Sequence, residues 1–373
     1  MKIIIERGTL LKALSHVQSV VERRNTIPIL SNVLMRAEGG TLSLTATDLD
    51  IEIIERVPAD VEQPGAITAS AITLYDIVKK LPDGAQIELA AADGKSRVEI
   101  QAGKASFELQ ALPEQEFPSL SQADDEGQRF EVPTKDLRRL IDKTRFAMSQ
   151  EETRYYLNGI YLHAAKEADF PALRAVATDG HRLACLDAHL PEGAADMPGV
   201  IVPRKAVLEL RRLLDDAGEV VTVAVSDSRI RFAFDDIVLT SKLIDGTFPD
   251  YARVIPSGND REMKVDNADF RRAVDRVSTV SADKTRSVKL SIAEDRITLL
   301  VNNPETGSAT EELSVDYQSP QLDIGFNAKY LLDIADQIDG DVAIFQFADA
   351  ASPTLVQDIE DPQALYVLMP LRV

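Results

Sequence analysis

Tryptophan is absent from this 373-residue sequence, cysteine occurs once and histidine four times. A lone thiol, Cys185, cannot form an internal disulfide, so the chain must be held together by its cores. So few histidines and cysteines do not lead one to expect a metal cluster, and no cofactor is expected. Positive charge is also in short supply: 41 lysines and arginines face 61 aspartates and glutamates, a formal charge of −20. General nucleic-acid binders carry a positive footprint, and the sum argues against one; a sum, however, conceals distribution. No apolar run approaches the ~20 residues of a membrane span, so no membrane partner is expected. The opening Met1 to Arg7 reads as a strand, with an apolar run shorter than the ~7–15 residues of a signal-peptide core. The expectation is a cytoplasmic, reducing setting.

What the chain does contain is a threefold repetition. At this length two or three domains are expected. Helix-like segments of similar wording begin at Thr9, Thr134 and Ala268, each after a strand-like stretch, with Thr or Asp available to cap the first turn. A second helix family follows at Ala71, Pro203 and Asn327. Alternating strands such as Thr41 to Ala46 and Asp295 to Val301 lie between and after them. Each unit carries two helices and several antiparallel strands, an α+β fold repeated over residues 1–121, 129–255 and 261–373. Glu116-Phe117-Pro118-Ser119-Leu120 and Thr247-Phe248-Pro249-Asp250-Tyr251 end the first two units, and 122–128 and 256–260 read as linkers.

Charge follows the helices. Read as 9–24, 71–81, 134–146, 203–214, 268–280 and 327–338, they hold 18 basic and 9 acidic residues, a surplus of +9 that leaves −29 for the rest of a chain totalling −20. Solvated helix faces normally mix the two signs, so a helical surface facing phosphates, backed by acidic sheets, accounts better for the segregation. Helices pack ~8–10 Å apart, so six enclose too little space for a duplex about 20 Å wide. Twelve, from two chains, give a bore of roughly 25–30 Å.

Several stretches are distinctive together: Pro28-Ile29-Leu30, Thr45 to Leu49, Arg154 to Gly159, Ala177 to Leu183, Val202 to Lys205, Phe248 to Tyr251 and Met369 to Arg372. With them the chain resembles, over its whole length, the bacterial sliding clamp family, the beta subunits of DNA polymerase III. The resemblance implies a non-catalytic, head-to-tail dimeric ring around double-stranded DNA without regard to sequence. It also implies tethering of the replicative DNA polymerase, opening by a clamp loader, and recruitment of repair proteins through short peptide motifs. It implies DNA contacts at Arg24, Gln150, Tyr155, Tyr156 and Lys205. Ile72 stands where some members carry a basic residue, and Gln150 where some carry histidine. The implied peptide groove comprises Leu157, Thr178, Gly180, His181, Leu183, Pro249, Val254, Val367, Met369, Pro370 and Leu371, flanked by Arg154, Arg182 and Arg372. Methionine suits a groove that accepts several peptides, because its side chain adapts.

Read without the resemblance, Asp179, His181 and Cys185 invite a hydrolase or transferase with a base, its orienter and a nucleophile. Asp179-Gly180 between two alternating apolar runs is foremost a hairpin turn signal, and the matching Thr47-Asp48 and Asn302-Asn303 have no histidine. An acidic scaffold that binds no nucleic acid is the third reading. The run Leu365 to Leu371 reads as a last strand, with a proline near its end that leaves Met369 and Leu371 available. For a seam between copies, the first unit offers the strand Lys104 to Leu109, including Phe107, with Lys95 and Arg97 nearby. The third offers Glu305, Glu311 and Glu312 beside another strand. An exposed edge needs a partner or a defence, and opposite charge would pair these two around a twofold axis.

Overall fold

The computed structural model describes residues 1–91, 96–120, 127–165, 170–281 and 287–372. Lys95 and residues 122–126 of the first expected linker lie outside the described residues.

The first repeat runs β1 (Lys2–Glu6), α1 (Arg7–Val17), β2 (Asn32–Glu38), β3 (Thr41–Thr47), β4 (Ile51–Pro58), β5 (Asp60–Gln63), β6 (Gly65–Ser70), α2 (Ala71–Lys80), β7 (Gln86–Ala91), β8 (Arg97–Ala102) and β9 (Ala105–Gln110). The second runs β10 (Gln128–Pro133), α3 (Thr134–Asp142), β11 (Gly159–Ala165), β12 (Ala172–Thr178), β13 (Arg182–His189), β14 (Val200–Pro203), α4 (Arg204–Leu213), β15 (Val220–Val225), β16 (Arg229–Phe234) and β17 (Ile237–Lys242). The third runs β18 (Arg261–Asp266), α5 (Asn267–Ser278), β19 (Ser287–Ala293), β20 (Arg296–Asn303), β21 (Gly307–Ser314), β22 (Asp316–Tyr317), β23 (Leu322–Asn327), α6 (Ala328–Ala335), β24 (Val342–Phe347), β25 (Thr354–Asp358) and β26 (Asp361–Leu368).

Strand and helix periods sort the side chains. Val98, Ile100 and Ala102 of β8 are buried while Arg97, Glu99 and Gln101 between them are exposed, the two-residue alternation of a half-buried strand. Leu10, Ala13, Leu14 and Val17 form the buried stripe of α1, at the spacing of a 3.6-residue helix. The first cap lies earlier than the sequence suggests. Glu6, not Thr9, precedes α1, and its carboxylate accepts from the Thr9 amide at 2.8 Å. Asp266 caps α5 in the same way, accepting from the Asp269 amide at 2.8 Å.

Four antiparallel sheets result, and two of them cross repeat boundaries. In the eight-stranded sheet, the β6-β2-β3-β4 half belongs to the first repeat and the β17-β16-β15-β10 half to the second; Ile53 of β4 lies opposite Leu239 of β17. In the nine-stranded sheet, β14-β11-β12-β13 of the second repeat continues into β26-β25-β24-β18-β22 of the third, with Leu183 opposite Val367. The remaining halves stand alone: β5-β1-β7-β8-β9 ends on β9, and β23-β19-β20-β21 ends on β21.

Packing groups the chain into two compact units, each made of parts of neighbouring repeats. One comprises 1–138, 191–198 and 205–243, the other 139–190, 199–204 and 244–373, so the division cuts through the second repeat. Each unit holds one cross-repeat sheet and one of the open half-sheets.

Candidate functional site

In the second unit, β12 and β13 are joined by Asp179-Gly180-His181. The Asp179 carboxylate accepts from the His181 and Arg182 amides at 2.9 and 3.0 Å, and the Thr178 hydroxyl donates to the Arg182 carbonyl at 2.7 Å. Gly180 adopts φ +86°, and a Cβ there would lie 2.7 Å from Arg154 Nη1. The first repeat builds the same turn without histidine: Thr47 donates to the Ile51 carbonyl at 2.8 Å and Asp48 accepts from the Asp50 and Ile51 amides at 2.9 and 2.8 Å. Asp179 is therefore a turn-former. Cys185 is 5% exposed and burial pushes its thiol up to about 12, far from the thiolate a nucleophile needs.

Below this turn lies an apolar floor of Leu157, Val176, Leu183, Cys185, Ile201, Phe248, Leu355 and Val367. Partly buried Tyr156, Tyr161, Ile244, Tyr251, Ile255 and Leu365 pack against it. Pro249 is exposed, as are Val254 at 41% and Met369 at 36%, an unusual exposure for large apolar side chains beside a core. After β26 the chain stays attached: the Met369 amide donates to the His181 carbonyl at 2.9 Å and the Leu371 amide to the Gly325 carbonyl at 2.8 Å. Pro370 and Leu371 are half-buried and Arg372 is exposed.

Of the three arginines expected to flank the groove, Arg182 does not project into it. It is 7% exposed, bonded to Asp179 at 3.1 Å, to the Phe146 carbonyl at 2.8 Å and to Asp333, with its guanidinium 4.5 Å from the Tyr330 ring centroid. It is a buried prop, because each of its three guanidinium nitrogens already holds a partner. Arg154 is partly exposed and pairs with Glu151 at 3.2 Å. The His181 ring stacks over Tyr330 at 6.2 Å. Val176, Cys185, Ile201, Phe248 and Leu355 of the floor, and Tyr330 beside His181, are not among the groove residues expected from the sequence. They are brought together by pairing between distant strands, which no local pattern announces.

The residues expected to meet DNA fall in both units. In the second, Gln150 is exposed, Tyr155 is 53% exposed and its ring meets Tyr156 edge-on at 5.7 Å; Tyr156 also packs on the groove floor. In the first, Arg24 is exposed in the loop after α1, and Ile72 is half-buried on α2. Lys205 is turned inward. Its ammonium donates to the Val20 carbonyl, Glu22 and Asp48 at 3.0, 2.5 and 2.6 Å, using all three of its donors. Burial lowers its pKa, but the two carboxylates outweigh this and raise it.

The helices as formed hold 15 basic and 7 acidic residues, a surplus of +8 against the chain's −20. At least ten of the fifteen make ion pairs, among them Lys12 with Asp216, Arg139 with Asp361, Arg212 with Glu209, Arg271 with Asp336 and Arg272 with Asp269.

The proposed seam residues lie on the two open sheet edges. On β9, Phe107 is 37% exposed, Leu109 half-buried, and Lys104 exposed in the preceding turn. On β21, Glu311 is held by Arg276 and Glu312 lies 3.7 Å from Arg296; Glu305, exposed, precedes the strand. Glu311 and Glu312 thus already face cations of their own unit.

Sequence models of the DNA polymerase III beta subunit match the chain throughout: the N-terminal domain over residues 1–121, the central domain over 131–250 and the C-terminal domain over 252–372. The beta sliding clamp of Caulobacter vibrioides is 58% identical over 373 residues, covering 100% of both chains. The crystal structure of the DNA polymerase sliding clamp from Caulobacter crescentus superposes with a TM-score of 0.95 at 57% identity, covering 100% of both chains. A sliding clamp from Bartonella birtlesii bound to griselimycin superposes with a TM-score of 0.97 at 51% identity, again over 100% of both.

Proposed function

The chain belongs to the DNA polymerase III beta-subunit family, the beta sliding clamps, and from that premise we propose how its surfaces do the work. It is a DNA sliding clamp of three-domain clamp fold, partner to DNA and to the polymerase, with no chemistry of its own.

The observation that carries the assembly is the pair of strands left open. Within one chain, β4 pairs with β17 and β13 with β26. Each time, the outer strand of one repeat's first half-sheet meets the outer strand of the next repeat's second half-sheet. By the same rule β21 calls for a β9, and we assign that place to the β9 of a second copy. Two such contacts close a ring of two chains with six repeats. Carrying over the registers of the two internal joints sets Ala309 opposite Phe107 and Gly307 opposite Leu109, with Phe107 on the core-facing side. The domain boundaries follow the repeats, at 1–121, 129–255 and 261–373.

In this ring the six helices of each copy, with their surplus of positive charge, face the duplex, and Arg24, Gln150, Tyr155 and Tyr156 reach phosphates or sugars. Lys205 contributes by holding Glu22 and Asp48 rather than by direct contact. The apolar floor with its Pro249, Val254, Met369 and Leu371 rim receives short peptides of the polymerase, of the clamp loader and of repair proteins. Griselimycin, bound by the Bartonella protein, is taken as a probe of the same groove.

A topological link is indifferent to counterion release, whereas direct phosphate contacts are not. The protein loaded on closed circular DNA should therefore survive high salt and be lost when the circle is cut. Equal loss from intact and cut circles would sink the ring.

A further inference from the structure

The groove reading leaves open what holds the wall made by Phe248 to Val254, which supplies one floor residue and two rim residues. It is tied to the outer face of β11, β12 and β13 by side chains. The Phe248 ring stacks on Tyr161 at 4.9 Å with an interplanar angle of 7°, and Tyr161 stacks in turn on His163 at 4.7 Å. Tyr251 is pegged by its hydroxyl, which lies 2.9 Å from His163 Nε2 and accepts from Arg174 Nη1 at 3.3 Å. Arg174 is fixed by a two-pronged pairing with Asp187 at 2.6 and 2.7 Å.

The tautomer follows from the partners. His163 Nδ1 lies 3.1 Å from the Ala164 carbonyl, which can only accept, so the proton sits on Nδ1. Nε2 is then the acceptor, and the Tyr251 hydroxyl donates to it while receiving from Arg174. The chain of donors is complete only while the imidazole is neutral.

On the groove reading given above, we propose that His163 and Arg174 are positioning residues for the peptide groove, and that a second proton on His163 unlatches the Phe248 to Val254 wall. The added proton turns Nε2 into a donor, leaving the Tyr251 hydroxyl between two cationic N–H groups. The groups facing His163 are Tyr161 on β11, Arg174 on β12, Asp187 on β13 and Tyr251 on the wall; the Asp187 charge is already matched by Arg174. Burial, aided by the nearby Arg174 charge, holds His163 below its ordinary 6.5. A base depressed by folding contributes its stability above the unfolded value and loses it as pH falls below 6.5. The latch is therefore closed at neutral pH and opens on the acid side.

The test is equilibrium titration of the whole protein with griselimycin at about pH 7.5 and about pH 5.5, with melting curves alongside. Wild type should lose about tenfold in affinity at the lower pH. His163→Gln, which cannot take up a proton, should bind more weakly than wild type at the higher pH because the ring stack on Tyr161 is lost, but should show no further loss at the lower pH. Tyr251→Phe should bind several-fold more weakly at both. Dependence on pH that persists in His163→Gln would assign it to His181 and overturn the latch, as would wild-type binding in Tyr251→Phe. Flat wild-type binding overturns the latch alone, whereas no griselimycin binding at either pH overturns the groove reading and the latch with it. Should Tyr251→Phe melt far below wild type, the His163→Gln comparison decides.

Discussion

Two residues beside the groove differ in how far their neighbours in the chain reveal their job. Arg182 is expected beside the groove as a flanking cation because the family resemblance implies it. Its real surroundings are Phe146, Tyr330 and Asp333, and no local pattern announces partners so distant. Removing one partner of a buried ion pair leaves the other uncompensated, so Arg182→Ala is expected to cost about 3–5 kcal/mol. A large fall in melting temperature would register it, and a change below about 1 kcal/mol would mean that the arginine is in effect solvated. Gly180, by contrast, is legible: Asp-Gly between apolar runs signals a turn, and the turn has formed with φ +86°. Gly180→Ala should cost about 1–2 kcal/mol for the left-handed backbone, and the clash with Arg154 should add a loss of griselimycin affinity. Titration and unfolding of that one variant check both effects.

Strands give a more mixed account. Their existence and faces are readable because alternation is local, and the segment containing Phe107 reads as a strand for that reason, whereas Glu311 is placed only beside one and lies within β21. Which strand pairs with which is not readable, since a partner is chosen by register and by the edge a neighbouring repeat presents. The register carried over from the internal joints can be tested directly. With Cys185 buried, a Phe107→Cys/Ala309→Cys protein has only the introduced thiols on its surface. Directly opposed Cα atoms lie about 4.5–5.5 Å apart in antiparallel sheets, within reach of a disulfide. Oxidation should yield a covalent dimer on a non-reducing gel, and neither single variant should. Crosslinking only at a neighbouring pair of positions would shift the register. The C-terminal tail offers a second check. β26 ends at Leu368, so deleting residues 369–373 spares the strand and removes only the attachments at Met369 and Leu371. Melting should fall by a few degrees at most, while griselimycin binding should drop by tenfold or more, as expected for loss of an anchor worth about 2 kcal/mol. Collapse of melting with binding intact would place the tail in the core.

For the molecule as a whole, repetition is plain in the sequence, but the packing division is not. Three similar stretches imply three similar bodies, yet two sheets weld halves of neighbouring repeats together, and the compact units number two. The charge count survives the change of helix bounds, moving only from +9 to +8, because the net +2 trimmed from the helix ends (Arg23, Arg24, Lys143 and Arg145 against Glu22 and Asp336) is partly replaced by Arg7 at the start of α1. What counting could not reveal is that most of these cations already hold a carboxylate. That bears on friction. A cation held by its own anion presents a passing phosphate with a dipole rather than a bare charge, and each step along a duplex then crosses a shallow well, comparable with thermal energy of about 0.6 kcal/mol. Lys205 makes the point testable. Glu22→Gln removes one of its two anions, so the freed charge should steepen the salt dependence of DNA binding, by a slope of up to about 0.9 for one added phosphate contact. Single-molecule tracking of loaded rings should then show slower diffusion along DNA. If the proposed ring carries these helices on its inner wall, cations that mostly hold a carboxylate would make it a lubricated bearing, with the acidic partners as much a part of the lubricant as the lysines and arginines.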